Sequence, residues 1–579
     1  MLREGGAEAA LEAQAIFEKA VRLDPSHAGA LAGFARSVEL SAAGMDEVRL
    51  EQALGVLGAA EKRSKDRAGV ALARAELLLA RPTPAREGEA RQLAEKVLEQ
   101  SEDRLQRARA HRVVGRSWLK QSSALAAKSL GEALALDPSL EEAWSERAAA
   151  LEATGDFAGA LAHLQKRLEL DPGHWPSVEA RVRIFRDVGK PARGRAEYAR
   201  ILAAQPRHQR ARLGLAALQY QAERRPKEAV RALRALAASL PPKERSERAE
   251  RPEVLVHLAA AERAAGNAPN AERAAKNALA AAPDDPAAHL QLLLLAIDRR
   301  RPAEADPRLS AIAGKLGDPA VEKLLEGRVR MLQARWDDAE KAFRAAHDAD
   351  RRRVDALILA GICASKARRR DDALHHLDQA VRADPNRAPP PLANPRFYFD
   401  PKALLAVQGD ALAAVAKGRH DGTGHLFDAV LRFYAGDSKG SAKRLRAALA
   451  VDRGNPLALA WRAVLALRTG DRRAARTMGA QAVAQDRLLG LGHYVLGTAL
   501  ARGGETAAGR KALTEAVRLD PGLFGAEYEL AAIDARQRDV AGARQRLVRV
   551  VTLDPSFLPA KELLFALDTE APREGPRPR

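Results

Sequence analysis

Paired histidines, one cysteine and a few glycine runs are the residues of this chain whose types could do chemistry, and each fails on spacing. His420, Asp421 and His425 come nearest to a metal-ligand set, but they straddle a glycine-bearing turn and read as exposed polar residues. His375 and His376 are adjacent and point to different sides of a helix, so they cannot chelate together. A phosphate loop needs Gly-x4-Gly-Lys-Ser/Thr, and Gly436 to Lys443 holds glycine and lysines in the wrong order. Gly490-Leu491-Gly492 lacks the third glycine of a dinucleotide fingerprint and sits in a helical pattern rather than after a strand. Cys363 is the only cysteine, which excludes intramolecular disulfides and zinc clusters and leaves a small packed residue. No catalytic residue, metal site or cofactor is expected.

The elements that would have to position any site follow a 34-residue period. Asp452, Asp486, Asp520 and Asp554 keep it without slippage, as do Asp137, Asp171 and Gln205, and Pro138, Pro172, Pro206, Pro521 and Pro555 follow one place behind. Such a period marks a solenoid of stacked supersecondary units. In the unit from Glu141 to His174, Trp144, Ala148 and Leu151 form one helical stripe, and Gly155-Asp156 breaks the helix. Ala160, Leu164 and Leu168 form a second stripe, which Asp171-Pro172 ends because the residue before proline is driven out of helical geometry. Each unit is therefore a pair of antiparallel helices, able to bury its stripes only against its neighbours.

Counting from the first residue of a unit, place 8 is small (Ala148, Ala216, Ala259, Gly361, Gly497, Ala531) and place 20 is alanine (Ala160, Ala229, Ala271, Ala305, Ala339, Ala373, Ala543). Place 24 is large (Leu164, Tyr198, Leu233, Leu309, Phe343, Leu377, Leu445, Leu513, Leu547), with Gly479 as an exception. This scheme, with proline at place 32, resembles the tetratricopeptide repeat (TPR) family over nearly the whole chain, best in 141–174, 354–387, 490–523 and 524–557.

The resemblance implies an all-α superhelical solenoid of about fifteen units, beginning near 28, 68, 107, 141, 175, 209, 252, 286, 320, 354, 388, 422, 456, 490 and 524. Residues 1–27 read as a partial repeat with only a second helix, so that either an upstream segment is missing or Ala7 to Leu23 acts as an unconventional cap. Residues 28–387 form an array with an exposed loop at 81–89 and a charged insertion at 241–251. Residues 388–401 carry Pro389, Pro390, Pro391, Pro395 and Pro401, either a local break in one solenoid or a hinge between two arrays. The array continues through 402–557, a capping helix covers 558–568, and 569–579 read as a disordered tail.

TPR grooves are lined by first-helix places 2, 5, 6, 9, 12 and 13. Carried over, these give an apolar, aromatic peptide-binding groove of Leu457, Trp461, Val464, Leu467, Leu491, Tyr494, Val495 and Tyr528, and an earlier acidic groove of Glu142, Glu146 and Glu152. The aromatics either anchor a partner or pack on the next helix. As anchors, Trp461 and Tyr494 should be replaceable by alanine with little change in melting. Place 6 lacks the asparagine of the TPRs that clamp chaperone carboxylates.

The net charge of +19 suggests an anionic partner, but lysines are only 21 of the 95 basic residues, a bias that a GC-rich coding sequence also produces. Arg224, Arg225, Arg299, Arg300, Arg301, Arg368, Arg369 and Arg370 fall in turns along one rim, and Arg351, Arg352 and Arg353 on the other. They read as a solvated rim or as a docking ridge for an acidic partner; no aromatics interleave them for nucleic acid. No apolar run reaches the roughly 18 residues of a membrane span, and no export signal opens the chain, so the expectation is cytoplasmic with the periplasm left open. The function expected is a non-enzymatic scaffold or adaptor. Its rivals are the partner-sensing part of a larger enzyme or regulator and a basic helical-repeat RNA binder.

Overall fold

The computed structural model describes residues 7–41, 47–240, 250–387, 422–434 and 436–570, over which the chain forms 30 helices and no strand. The unit at 141 shows why. Its helices are Glu141–Ala153 and Phe157–Leu170. Gly155 turns the chain between them at φ 80°, and the Asp156 carboxylate accepts the Gly159 N–H at 2.7 Å, capping the second helix. The final aspartate is extended, and its Oδ1 accepts the N–H two residues on. Asp171 does so to Gly173 at 3.0 Å, Asp452 to Gly454 at 3.0 Å and Asp520 to Gly522 at 2.9 Å. The repeated aspartate thus forms an Asx turn that closes these units.

Packing follows the small and large places. All seven place-20 alanines are 0% exposed. Large place-24 residues are buried against them except Leu309, which is partly buried. At place 8, a Cβ on Gly497 would stand 2.8 Å from Leu513 Cγ and 2.9 Å from its backbone nitrogen, and one on Gly361 would stand 2.7 Å from Leu377 Cγ. Gly497→Ala should therefore destabilise by about 1–3 kcal/mol through overpacking, read from the urea midpoint, although alanine is the better helix former. The glycine at place 24, Gly479, is compensated by a closer neighbour: its Cβ would meet the Leu496 backbone nitrogen at 3.0 Å.

Several boundaries move. Residues 81–89, expected as an exposed loop, enter the helix Pro84–Gln100, because Thr83 caps it by accepting the Arg86 N–H at 3.3 Å and proline fits the first turn. The opening helix Ala7–Leu23 packs on Ala28–Ser41, with the Phe17 ring filling the space above Gly33. The last helix spans Leu558–Glu570. The expectations for 241–249, 388–401, 402–421 and 571–579 concern residues outside the described ones, as do those for His420 and Asp421.

Contacts divide the chain into two units, the described residues of Met1–Ile184 with those of Asp568–Arg579, and those of Phe185–Leu567. Among the described residues the first holds several small apolar clusters, and the second a large cluster and a small one of Ala466, Ala475 and Ala499. Within the second unit the last helix reaches the opening residues: the Arg193 guanidinium lies 5.7 Å from the Phe565 ring, and Glu562 occupies the space a Cβ on Gly189 would need.

Candidate binding groove

Four successive first helices, Thr423–Tyr434, Pro456–Thr469, Gly490–Arg502 and Phe524–Arg536, present family groove places toward one stretch of the chain itself. That stretch is the end of the helix Arg370–Arg382 and the corner after it, Ala383 to Arg387. Trp461 donates its indole N–H to the Val381 carbonyl at 2.8 Å. The Tyr434 hydroxyl donates to the Asp384 carbonyl at 3.1 Å, and Arg468 donates to the Pro385 carbonyl at 3.2 Å. The Asn386 amide donates to the Tyr494 hydroxyl at 2.9 Å. Around the corner, Trp461 meets Phe433 and Tyr434 edge-on at 5.0 and 6.0 Å, and the Arg468 guanidinium lies 3.8 Å from the Phe433 ring centre.

The fifth bond explains the corner's aspartate. Helix Phe524–Arg536 has no side-chain cap from its own N-cap residue, Leu523, and its Gly525 N–H bonds instead to Asp384 Oδ2 at 2.7 Å. Asp384 thus closes its own Asx turn through Oδ1, to the Asn386 N–H at 2.7 Å, while its second oxygen caps a helix 141 residues further along. A Cβ at 525 would stand 2.1 Å from Asn386 Nδ2 and 3.1 Å from the Tyr494 hydroxyl, so a larger residue there would displace the Asn386 amide. Burial lifts the Asp384 carboxyl up to about 6, against the pull of the Gly525 and Asn386 donors and the Arg387 charge. It also raises the Tyr434 and Tyr494 phenols well above their ordinary range, so both hydroxyls stay neutral.

Of the eight residues expected to line the groove, Trp461 and Tyr494 touch the corner, and they are only 1% and 6% exposed. These two are core positions as well as groove positions, so their loss is expected to cost stability. Val464, Leu491 and Val495 are buried in the large cluster, and Leu457 and Leu467 pack partly buried against it. Tyr528 turns edge-on to Phe557 at 5.3 Å. Tyr434, Arg468 and Gly525 were not among the eight, although they occupy places 13, 13 and 2 of their units. In the earlier groove the carboxylates are paired. Glu146 receives both forks of Arg112 at 2.9 and 2.6 Å, Glu152 pairs with Arg183 at 2.7 Å, and Glu142 pairs with Arg36.

The arginine rim is largely neutralised. Arg225, Arg301 and Arg369 pair three residues on with Glu228, Glu304 and Asp372 at 3.6, 3.1 and 2.7 Å, and Arg299 pairs with Glu272. Arg370 begins its helix, and its side chain is not described. On the other rim Arg351 and Arg352 pair with Asp348 and Asp350, and Arg353 is buried beside Asp355. Arg224, Arg300 and Arg368 are exposed, with left-handed backbone at φ 56°, 53° and 63° in the turn where other units carry Gly155, Gly266 or Gly470. Arg300→Gly or Arg368→Gly should raise stability by about 0.5–1 kcal/mol by relieving that strain, a shift thermal melting would report.

Among the described residues no group of acidic, histidine or cysteine side chains could hold a metal, and no helix is long and apolar enough to cross a membrane. The family model of the tetratricopeptide repeat matches residues 179–244 and 324–388. No curated protein matches in sequence. Similar solved structures include the APC/C hetero-tetramer Cut9–Hcn1, 13% identical, covering 92% of this chain and 96% of that one with a TM-score of 0.40. Yeast Tom70 is 14% identical over 83% of this chain and 97% of its own, with a TM-score of 0.28. PilW, a type IV pilus biogenesis factor, is 16% identical over 36% of this chain and 93% of its own, with a TM-score of 0.30.

Proposed function

Because this chain is a tetratricopeptide-repeat protein, we propose that it is a non-catalytic scaffold that gathers partner proteins, and that the groove of its last four units holds a segment of a partner's chain. The observation that supports this reading is the convergence of five hydrogen bonds from four first helices on one stretch of polypeptide. Three of them take main-chain carbonyls, a mode of recognition independent of side-chain identity, and the aromatic walls add the rigid anchors that dominate binding energy. The rim is the weaker candidate, since most of its described arginines already have carboxylate partners.

The test is affinity capture from native lysate with the intact chain and two variants. Arg468→Ala removes an exposed groove donor; Arg224→Ala/Arg300→Ala/Arg368→Ala removes three exposed rim charges while leaving the groove intact. Capture lost with the first and kept with the second is the expected outcome. The reverse pattern, or no specific partner with any form, sinks the groove reading.

A further inference from the structure

We propose that Arg328 and Arg300 form an oxyanion site in the units at 286 and 320, and that its ligand is a doubly charged phosphoryl group. Other units than those of the groove above build it, and it is independent of that reading. Arg328 stands at place 9 of its unit, on the helix Pro319–Leu332, and is partly exposed. Its Nε is buried and makes no hydrogen bond. Its two Nη nitrogens reach solvent, and among the described residues no carboxylate or carbonyl holds them. Buried polar groups of folded proteins are nearly always bonded, so a guanidinium left this way is a fork whose acceptor comes from outside the chain.

The groups around Arg328 do not supply that acceptor. Asp298, which ends the helix Pro286–Asp298, acts on Arg328 from beyond ion-pair distance and pairs with Arg263 at 3.7 Å. Cys363 is fully buried and its thiol is pushed up to about 12, so it stays neutral. Arg300 adds a like charge, and burial without a counter-ion pulls the Arg328 guanidinium below its ordinary range. Arg300 itself is exposed and has no side-chain partner among the described residues, while Arg299 pairs with Glu272 and Arg301 with Glu304 at 3.1 Å. Two guanidinium charges of adjacent units are thus left near one another without a carboxylate. One carboxylate would neutralise one of them; a phosphoryl dianion neutralises both and offers three oxygens to two planar forks.

The experiment measures the fluorescence anisotropy of a labelled peptide, Gly-Gly-phosphoserine-Gly-Gly, with the full chain at low salt, beside the same peptide carrying glutamate. The phosphoserine form should bind about tenfold more tightly than the glutamate form. Arg328→Met keeps the apolar stem, removes an unbonded N–H and should weaken phosphopeptide binding about tenfold or more, the effect of losing charge-assisted hydrogen bonds. Arg300→Gly should weaken it about threefold, because its charge is exposed. Competition with inorganic phosphate separates two sources of the same chemistry. Displacement near the dissociation constant of the peptide assigns free phosphate as the ligand, and displacement only at about tenfold higher concentration assigns a phosphorylated side chain of a partner.

Equal binding of the glutamate and phosphoserine peptides overturns the phosphoryl assignment. Absence of phosphopeptide binding, or binding that survives both substitutions, overturns the site. Should Arg328→Met fail to fold, Arg300→Gly decides: a loss of affinity in that folded variant supports the site, and an unchanged affinity overturns it.

Discussion

Replacing Trp461 by alanine should lower stability by about 3–5 kcal/mol, the range for truncating a buried tryptophan. The indole is 1% exposed, packs edge-on with Phe433 and Tyr434, and holds the Val381 carbonyl at 2.8 Å. Its loss opens a cavity at the contact between the helix ending at Arg382 and the array that follows 421, so two stretches separated by 80 residues of sequence should loosen together. Trp461→Phe keeps most of the apolar bulk and removes the donor, and should cost about 1–2 kcal/mol. Urea unfolding followed by circular dichroism reads both. An unchanged midpoint for the alanine variant would mean that the corner does not depend on the indole.

Much of this was legible because the repeat is a one-dimensional code. The period, the turn chemistry and the alternation of alanine at place 20 with a large residue at place 24 follow from the distance between adjacent helices, which the sequence states locally. The groove places were legible for the same reason, and Trp461 and Tyr494 were found through them. What covers those residues was not legible. The Asp384 turn has the same local signature as the other Asp-Pro turns, and nothing near it announces Gly525 as its partner. That pairing comes from the curvature accumulated over the units between, a property no single repeat encodes. Gly525 carried a signal in hindsight: place 2 of the last unit holds the one residue that leaves room for the Asn386 amide. The start of the helix at Pro84 is hidden for a different reason: 81–89 has no apolar stripe to mark a helix, and Thr83 and Pro84 serve as its cap and first turn.

Asp384→Asn should flatten a pH dependence that the unaltered chain shows in the weakly acidic range. In the fold, burial lifts this carboxyl up to about 6 from 3.8, so the folded state keeps a proton that the unfolded chain has already released. For a group raised in this way the contribution to stability is fully present below the unfolded value and is lost as pH rises through the folded one. The rise from 3.8 to about 6 corresponds to about 3 kcal/mol lost between about pH 4 and 7. Among the groups facing the carboxyl, the Arg387 charge opposes the shift, as do the Gly525 and Asn386 donors, and the neutral phenols of Tyr434 and Tyr494 do not titrate in this window. The difference in unfolding free energy between the two proteins removes the other carboxylates common to both. The variant should begin less stable at acid pH, because an amide cannot accept from both Gly525 and Asn386 through two oxygens, and should gain on the unaltered chain as pH rises. Parallel curves across that range would show that Asp384 is ionised in the fold, and that the corner is held as a charged cap on the helix beginning at Phe524.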